Sequence, residues 1–232
     1  RMGRVLATEM TESMESFLRK PVHGGAERTN GCVLLRWLGQ AGFLIRFQDG
    51  ERTECLVIDP YLSDSLAVKY RGKILSHQRM MPPPVMPDLL RDLRMVLCTH
   101  AHSDHLDPGT LPILAENSPE CGFVTPYSAV SVAIERGVPA SRLKPLRDGE
   151  SLKLSGQLRL TAVASAHETR QYDEAATLCL EAGIPIFVPM HFGMFDFNTL
   201  PEPELERKSD EYASRLNCVR PRIGSTIVLN LF

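Results

Sequence analysis

The feature that most constrains this chain is a run of histidine and aspartate side chains that comes directly after a short apolar strand. The strand is predicted at Met95–Thr99, and the next six residues read His100-Ala101-His102-Ser103-Asp104-His105. The whole chain has only seven histidines, so three in this stretch are poorly explained as chance members of a polar surface loop. A loop at the end of a strand can fold imidazole nitrogens and a carboxylate oxygen onto one point, and that donor set suits zinc, manganese or iron. The sequence therefore predicts a metal centre here.

Two later histidines lie in a similar context. His167 follows the apolar run Val163–Ala166, and His191 follows Ile186–Met190. Either residue taken alone is more often a hydrogen-bonded structural histidine than a ligand. Because ligand-bearing loops gather at the ends of strands, both become candidate metal ligands once the first cluster is recognised.

The run from His100 to His105 matches the pattern HxHxDH letter for letter, and it resembles the signature of the metallo-β-lactamase superfamily. The glycine turn in Trp37–Phe43, the strand end at Val57–Pro60 and the two later histidines fit the same superfamily. The N-terminal helix and the loop Ser76–Met80 resemble the branch that contains L-ascorbate-6-phosphate lactonase. The resemblance implies one α/β domain over residues 1–232, a four-layer αββα sandwich, with an N-terminal helix and loop extension in residues 1–30.

The resemblance also implies which residues bind metal. It implies two divalent ions, zinc or manganese with iron as a further option, at one edge of the sandwich. The first ion would be held by His100, His102 and His167, and the second by Asp104, His105 and His191. Asp104 would also orient the attacking nucleophile as the catalytic residue. Asp59 would support the signature loop and so orient its ligands, although an aspartate at a strand end can also be an ordinary turn residue.

The chemistry that the resemblance implies is hydrolysis by a metal-bound hydroxide. Two divalent cations that share a water molecule lower its pKa and polarise the scissile carbonyl or phosphoryl oxygen. The favoured substrate is a small ester, lactone or phosphoester, with a phosphorylated sugar lactone as the specific candidate. Candidate phosphate contacts are His77, Arg79, Arg147 and Arg170. A phosphodiesterase or nuclease of the same fold is the alternative enzyme, and a catalytically inactive metal-binding module is the alternative from a different class.

One part of the expected pattern is missing. Members of the superfamily usually carry a bridging aspartate at a strand end between the positions of His167 and His191, and no predicted strand in that interval ends in one. Either the sequence as given omits a segment of the second sheet, or the protein lacks that segment. In the second case a one-metal enzyme or an inactive module becomes the better interpretation. An omitted segment predicts a Cα–Cα step between residues 167 and 171 that is well above the ~3.8 Å of bonded neighbours.

Composition limits the partners. Lys and Arg number 26 against 28 Asp and Glu, a formal charge of −2, so the chain lacks the basic excess typical of nucleic-acid-binding proteins. The six cysteines are scattered and lie mostly in apolar runs, which predicts buried, reduced thiols, notably Cys55 and Cys98, in a cytoplasmic protein. No apolar run approaches the ~18 residues of a membrane span. The predicted partner is a small-molecule substrate, with no nucleic acid and no membrane, and a homo-oligomer stays open.

The rest of the chain alternates strands and helices after an early antiparallel hairpin, as in an α/β domain. The predicted strands are Cys32–Leu38, Phe43–Phe47, Cys55–Ile58, Met95–Thr99, Gly122–Thr125, Ser151–Leu154, Gln157–Ala164, Ile184–Val188 and Ser225–Leu231. The predicted helices are Glu9–Lys20, Thr110–Glu116, Tyr127–Arg136, Gln171–Ala182 and Pro203–Leu216. Tyr61–Pro87 is predicted as a long loop, and such loops in compact domains are more often functional than idle.

Overall fold

The computed structural model describes residues 5–19, 22, 31–154, 156, 158–163 and 172–231. Its strands are β1 Val5–Thr11, β2 Cys32–Gly39, β3 Gly42–Asp49, β4 Arg52–Ile58, β5 Met95–Leu97, β6 Gly122–Pro126, β7 Leu143–Leu146, β8 Ser151–Lys153, β9 Arg159–Thr161, β10 Ile186–Phe187, β11 Asn217–Cys218 and β12 Ser225–Leu231. Its helices are α1 Met14–Arg19, α2 Ser65–Lys69, α3 Leu111–Asn117, α4 Val130–Glu135, α5 Tyr172–Glu181 and α6 Glu202–Tyr212. None of the helices in the described ranges is long and apolar enough to cross a membrane.

Eight of these strands form one sheet in the order β1-β12-β2-β3-β4-β5-β6-β7. The pairs from β1 to β4 are antiparallel, and β4, β5, β6 and β7 run parallel to one another. Parallel neighbours need a crossover connection, and α3 and α4 supply it for β5–β6 and β6–β7. The C-terminal ends of β4 and β5 therefore meet at one edge of the sheet. The β2–β3 turn lies at the same edge, because Phe43 at the start of β3 pairs with Ile58 at the end of β4.

Alternate side chains of the strands point to opposite faces, as the period of two requires. One face carries Leu34, Leu44, Val57, Val96 and Phe123, which form a buried cluster with residues of α1, α3 and α4. The other face is covered in two places, by the β8–β9 hairpin and by the segments around Phe192 and α6. Residues in and beside the β8–β9 hairpin pack on Phe47, Leu56, Met95, Leu97 and Val124 of the large sheet and form a second cluster with them. A third cluster joins Trp37 and Phe43 to Phe192 and to Leu205 of α6.

The result is the expected four-layer α/β arrangement. Helices α1, α3 and α4 form one outer layer, the eight-stranded sheet and the small sheets β8–β9 and β10–β11 form the two inner layers, and α5 and α6 lie against β10 and β11. Within the described residues the second β-layer consists of these two separate two-stranded sheets. Residues 164–171 lie outside the description, so the predicted long Cα–Cα step between 167 and 171 stays a prediction.

The N-terminus differs from the sequence prediction. The helix expected from Glu9 begins at Met14, and the residues before it form β1, which pairs along its length with β12. Strands β7 and β11 were also not predicted. The long loop is irregular over most of its length, but it contains α2.

All six cysteines are unpaired. Cys98 is buried, as predicted, whereas Cys55 is only partly buried. Burial raises the pKa of the Cys98 thiol well above its usual value and raises the pKa of Cys55 to about 12. These thiols therefore stay protonated at neutral pH and act as small apolar side chains.

The carboxylate of Asp107 ties the segment after β4 to the start of α3. It is fully buried and accepts hydrogen bonds from the backbone of Ser63 and from the hydroxyls of Ser63, Ser65 and Thr110, at 2.6–3.1 Å. The amide of Gly109 donates to it as well, at 3.0 Å. A buried carboxylate is tolerated only when it is hydrogen-bonded in this way, and the network in turn fixes the segment beside the predicted metal centre.

We predict that Asp107→Ala lowers the free energy of unfolding by about 3 kcal/mol, because it leaves one buried and several partly buried donors without an acceptor. Urea denaturation followed by circular dichroism measures this change. The matched control is Asp88→Ala at an exposed aspartate, for which a change within about 0.5 kcal/mol is expected. Equal stability of the two variants would contradict the structural role assigned to Asp107.

Candidate metal centre

Asp59 connects the ends of the parallel strands β4 and β5. Its backbone N–H donates to the carbonyl of Leu97 at 2.8 Å, which continues the β4–β5 pairing by one residue. Its carboxylate is fully buried and accepts hydrogen bonds from the backbone N–H and the hydroxyl of Thr99, both at 2.7 Å. The first residue of the loop that carries the signature is thus fixed to the neighbouring strand.

The same carboxylate orients His105. The Nδ1 atom of His105 lies 2.8 Å from Oδ2 of Asp59, and the imidazole is only 3% exposed. With Asp59 accepting the Nδ1 proton, the lone pair of Nε2 is left for a metal ion, which is the arrangement found behind most metal-binding histidines. The Nε2 atom is buried and makes no hydrogen bond with any described residue.

Asp104, His105 and His191 bring three ligand atoms together. The Oδ2 atom of Asp104 lies 3.6 Å from Nε2 of His105 and 3.5 Å from Nε2 of His191, and all three ligand atoms lie within 4.8 Å of one another. Ligand atoms about 2.1 Å from a tetrahedral ion are about 3.4 Å apart. The observed spacings, the buried free nitrogen and the N/O donor set all fit a divalent ion at this point.

The ionisation of Asp104 suits the same role. Burial raises the pKa of its carboxyl, but the contact with His191, the electrostatic influence of His105 and the hydrogen bond from Gln40 outweigh that effect and hold the pKa well below its usual range. The group is therefore a carboxylate throughout the physiological pH range and needs no deprotonation before it binds a cation.

His100 and His102 lie beside this group. The ring of His100 is centred 3.8 Å from that of His105 and 4.8 Å from that of His102, and its Nδ1 atom is 3.0 Å from the hydroxyl of Thr99. His167, their predicted partner, lies outside the described residues. The structure therefore brings together the set predicted for the second ion, while the set of His100, His102 and His167 stays a prediction.

Sequence reasoning missed Gln40, which contacts two of these ligands. Its amide Nε2 donates to Oδ2 of Asp104 at 2.9 Å and lies 3.0 Å from Nε2 of His191. The sequence indicated only a glycine turn at this place. The signal that was available is a polar side chain between the glycines of the turn, at the sheet edge where the cluster was expected.

Arg136, at the end of α4, is hydrogen-bonded to the backbone of the signature loop. Its Nη1 atom donates to the carbonyls of Ala101 and Leu106, each at 2.7 Å. One guanidinium group thus holds both ends of the segment that carries Asp104 and His105. This contact fixes the loop backbone while leaving the ligand atoms free.

The candidate phosphate contacts have other partners. The guanidinium of Arg79 donates to the carbonyls of Tyr61, Ser63 and Met81. These hydrogen bonds join the beginning of the long loop to its later part. His77 stacks on Tyr70 with the ring centres 4.1 Å apart. Exposed Arg147 lies over the ring of Tyr127 at 4.0 Å, and Arg170 is outside the described residues.

With this geometry in view, comparison with known proteins identifies the family. The family described as the β-lactamase superfamily domain matches residues 55–184, which include the end of β4, the long loop and the signature. The chain belongs to this superfamily. The match covers more than half of the chain, and the candidate ligand Asp104 and its neighbours lie within it.

Curated relatives of this superfamily member share limited identity with it. Probable L-ascorbate-6-phosphate lactonase UlaG of Escherichia coli is 26% identical over 166 residues, which is 66% of this chain and 45% of that protein. An uncharacterized protein of Mycobacterium tuberculosis is 28% identical over 135 residues, or 58% of this chain and 34% of that protein. The chain thus spans less than half the length of these relatives.

Solved structures of two hydrolases show the same fold. Igni18, a metallo hydrolase from Ignicoccus hospitalis, aligns with a TM-score of 0.55 and 16% identity over 85% of this chain and 98% of its own. An isothiocyanate hydrolase from Delia radicum gut bacteria aligns with a TM-score of 0.59 and 13% identity over 83% of this chain and 98% of its own. At such identities the likeness concerns the fold alone.

We predict that Asp59→Asn weakens zinc binding about 10- to 100-fold, because the amide can no longer fix the Nδ1 proton of His105. Competition with a chromophoric chelator measures the affinity. Asp196→Asn, at an exposed aspartate, serves as the matched control and should bind zinc like the wild type. If Asp59→Asn binds zinc as tightly as this control, Asp59 does not orient the ligand.

Proposed function

We propose that this protein is a metal-dependent hydrolase that acts on a small ester, lactone or phosphoester. The observation that carries the proposal is the convergence of Asp104, His105 and His191, with His105 held by the buried carboxylate of Asp59. A divalent ion held by these residues would supply Lewis acidity, which would lower the pKa of water and polarise a scissile carbonyl or phosphoryl oxygen. Membership in the β-lactamase superfamily supports this reading of the site.

A second ion on His100, His102 and His167 is part of the proposal. The position of the His100 ring against that of His105 supports it, because the two predicted sets are then adjacent. Asp104 is the proposed catalytic residue, since its carboxylate lies at the centre of the described group and can also orient a nucleophile. Zinc and manganese are the proposed ions, with iron as a further option, because all three accept mixed imidazole and carboxylate ligands.

The long loop before the signature lies beside the centre and is proposed to limit the substrate. The backbone N–H of Met80 donates to the carbonyl of Met194 at 2.8 Å, which ties the loop to the segment that begins with His191. Gly39 at the β2–β3 turn packs closely against both segments, because a Cβ atom there would lie 2.8 Å from the side chain of Met194 and 3.1 Å from that of Met81.

A lactone is the specific candidate substrate, and its phosphorylated sugar form is the finer proposal. The similarity to the probable L-ascorbate-6-phosphate lactonase supports it. Because the guanidinium of Arg79 is hydrogen-bonded within the long loop, a preference for a phosphorylated substrate would depend on His77, Arg147 and Arg170. We also propose a small-molecule substrate rather than nucleic acid, and a cytoplasmic location, which the six unpaired thiols support.

We predict that the zinc- or manganese-loaded protein hydrolyses a lactone or a small ester in a panel that also contains phosphodiesters and thioesters. Asp104→Asn should lower kcat/KM by more than about 100-fold, since it weakens a ligand of the metal itself. Asp196→Asn is the control. Comparing a sugar lactone with its phosphorylated form tests the phosphate preference through KM.

The panel also separates the alternatives. Turnover confined to the phosphodiesters would favour the phosphodiesterase or nuclease. Bound metal, measured by inductively coupled plasma mass spectrometry, without turnover of any panel member would contradict the hydrolase proposal and favour a metal-binding module.

A further inference from the structure

The side chain of Gln40 lies where a fourth ligand of the metal centre would be expected. Gln40 is fully buried at the turn between β2 and β3. Its Nε2 atom is 2.9 Å from Oδ2 of Asp104 and 3.0 Å from Nε2 of His191. Neighbouring ligand atoms about 2.1 Å from one ion are about 3.0 Å apart at octahedral angles and about 3.4 Å apart at tetrahedral angles. The end of this side chain therefore has the spacing of a ligand atom.

The backbone of Gln40 cannot withdraw from the centre. Its carbonyl oxygen accepts hydrogen bonds from the indole N–H of Trp37 at 3.1 Å and from the backbone N–H of His191 at 2.9 Å. Its φ of 51° lies in the left-handed region, which is unfavourable for a residue other than glycine. A strained backbone that is bonded to the ligand segment itself keeps the side chain beside His191.

Of the two polar atoms of the Gln40 amide, only the nitrogen is hydrogen-bonded within the described residues. Its Oε1 atom is buried and makes no hydrogen bond with any described residue, although an unpartnered buried acceptor costs about 1–3 kcal/mol. The amide oxygen and nitrogen exchange places by a half-turn about the last side-chain bond. An oxygen is thus available to replace the nitrogen that now faces Asp104 and His191.

A cation at the centre would reverse which atom of the Gln40 amide is favoured next to Asp104 and His191, from the nitrogen to the oxygen. The only lone pair of His191 Nε2 would point at the ion and would no longer accept a hydrogen bond from Gln40, and Oδ2 of Asp104 would direct one of its lone pairs at the ion. The partly positive N–H groups would then face a positive charge, whereas the carbonyl oxygen would be attracted to it. Amide carbonyl oxygens are established ligands of divalent ions.

We propose that Oε1 of Gln40 is a ligand of the metal ion that Asp104, His105 and His191 hold, and that the amide makes a half-turn when the ion binds. In the absence of the ion, the amide nitrogen bridges Asp104 and His191 and holds them in place. This inference rests on the proposed function only in that it needs a divalent ion at this site, and it is independent of the substrate.

The test compares four proteins without substrate: the wild type, Gln40→Met, Gln40→Glu and the control Gln48→Met. Gln48 lies at the far end of β3 and bonds only Gly50 and Thr53 in the described structure. Zinc affinity is measured by chelator competition, and the visible absorption of the cobalt-loaded proteins reports the coordination geometry. Circular dichroism and thermal unfolding show that each variant is folded.

Gln40→Met keeps the length of the side chain but removes both polar atoms, so it should weaken zinc binding about tenfold and change the cobalt spectrum. Gln40→Glu keeps an oxygen and adds a negative charge, so it should bind zinc at least as tightly as the wild type. Gln48→Met should match the wild type in both measurements.

The opposite results would overturn the inference. If Gln40 serves only as a hydrogen-bond donor, Gln40→Glu binds zinc more weakly than the wild type, and Gln40→Met leaves the cobalt spectrum unchanged. A wild type that binds no metal overturns this inference and the proposed function together. A wild type that binds metal through Gln40 but hydrolyses nothing overturns the proposed function alone.

Discussion

The hydrogen bond between the buried carboxylate of Asp59 and Nδ1 of His105 is the interaction on which the rest of the centre depends. A buried carboxylate is costly unless it is fully hydrogen-bonded, and Asp59 meets this requirement with Thr99 and His105. Because Asp59 directly follows β4 and Thr99 follows β5, the contact between the two strands and the orientation of His105 are fixed together. The parallel pairing of β4 with β5 thus sets the tautomer of a candidate metal ligand.

Three residues other than glycine adopt left-handed backbone around the centre: Gln40, Asp59 and His191, with φ values of 51°, 42° and 68°. Each such conformation costs about 1–3 kcal/mol and persists only where the surroundings enforce it. Here the surroundings are a sheet with apolar clusters on both faces and a turn whose carbonyl bonds the N–H of His191. The stability of the core therefore holds the ligand-bearing turns in conformations that they would not adopt alone.

Much of the fold follows from local pattern. The strands β2, β3 and β4 and the helices α3 and α5 lie close to their predicted bounds, because apolar periodicity and glycine turns specify them locally. Strand β1 was missed because its strand character comes from pairing with β12, at the opposite end of the chain. Tertiary pairing can override local preference in this way, and for strands the preference is weak to begin with.

By itself the sequence predicted the class of fold and a candidate metal-binding loop, because four of six consecutive positions after a strand carry possible ligands and no distant partner is needed to see them. Only the tertiary structure decided which side chains converge at the candidate metal centre. Gln40 and His191 are 151 positions apart and come together because the β2–β3 turn and the segment after β10 meet at one edge of the sheet. A glutamine in a turn has no periodicity that marks it, so its place in the centre is a consequence of sheet order and burial alone.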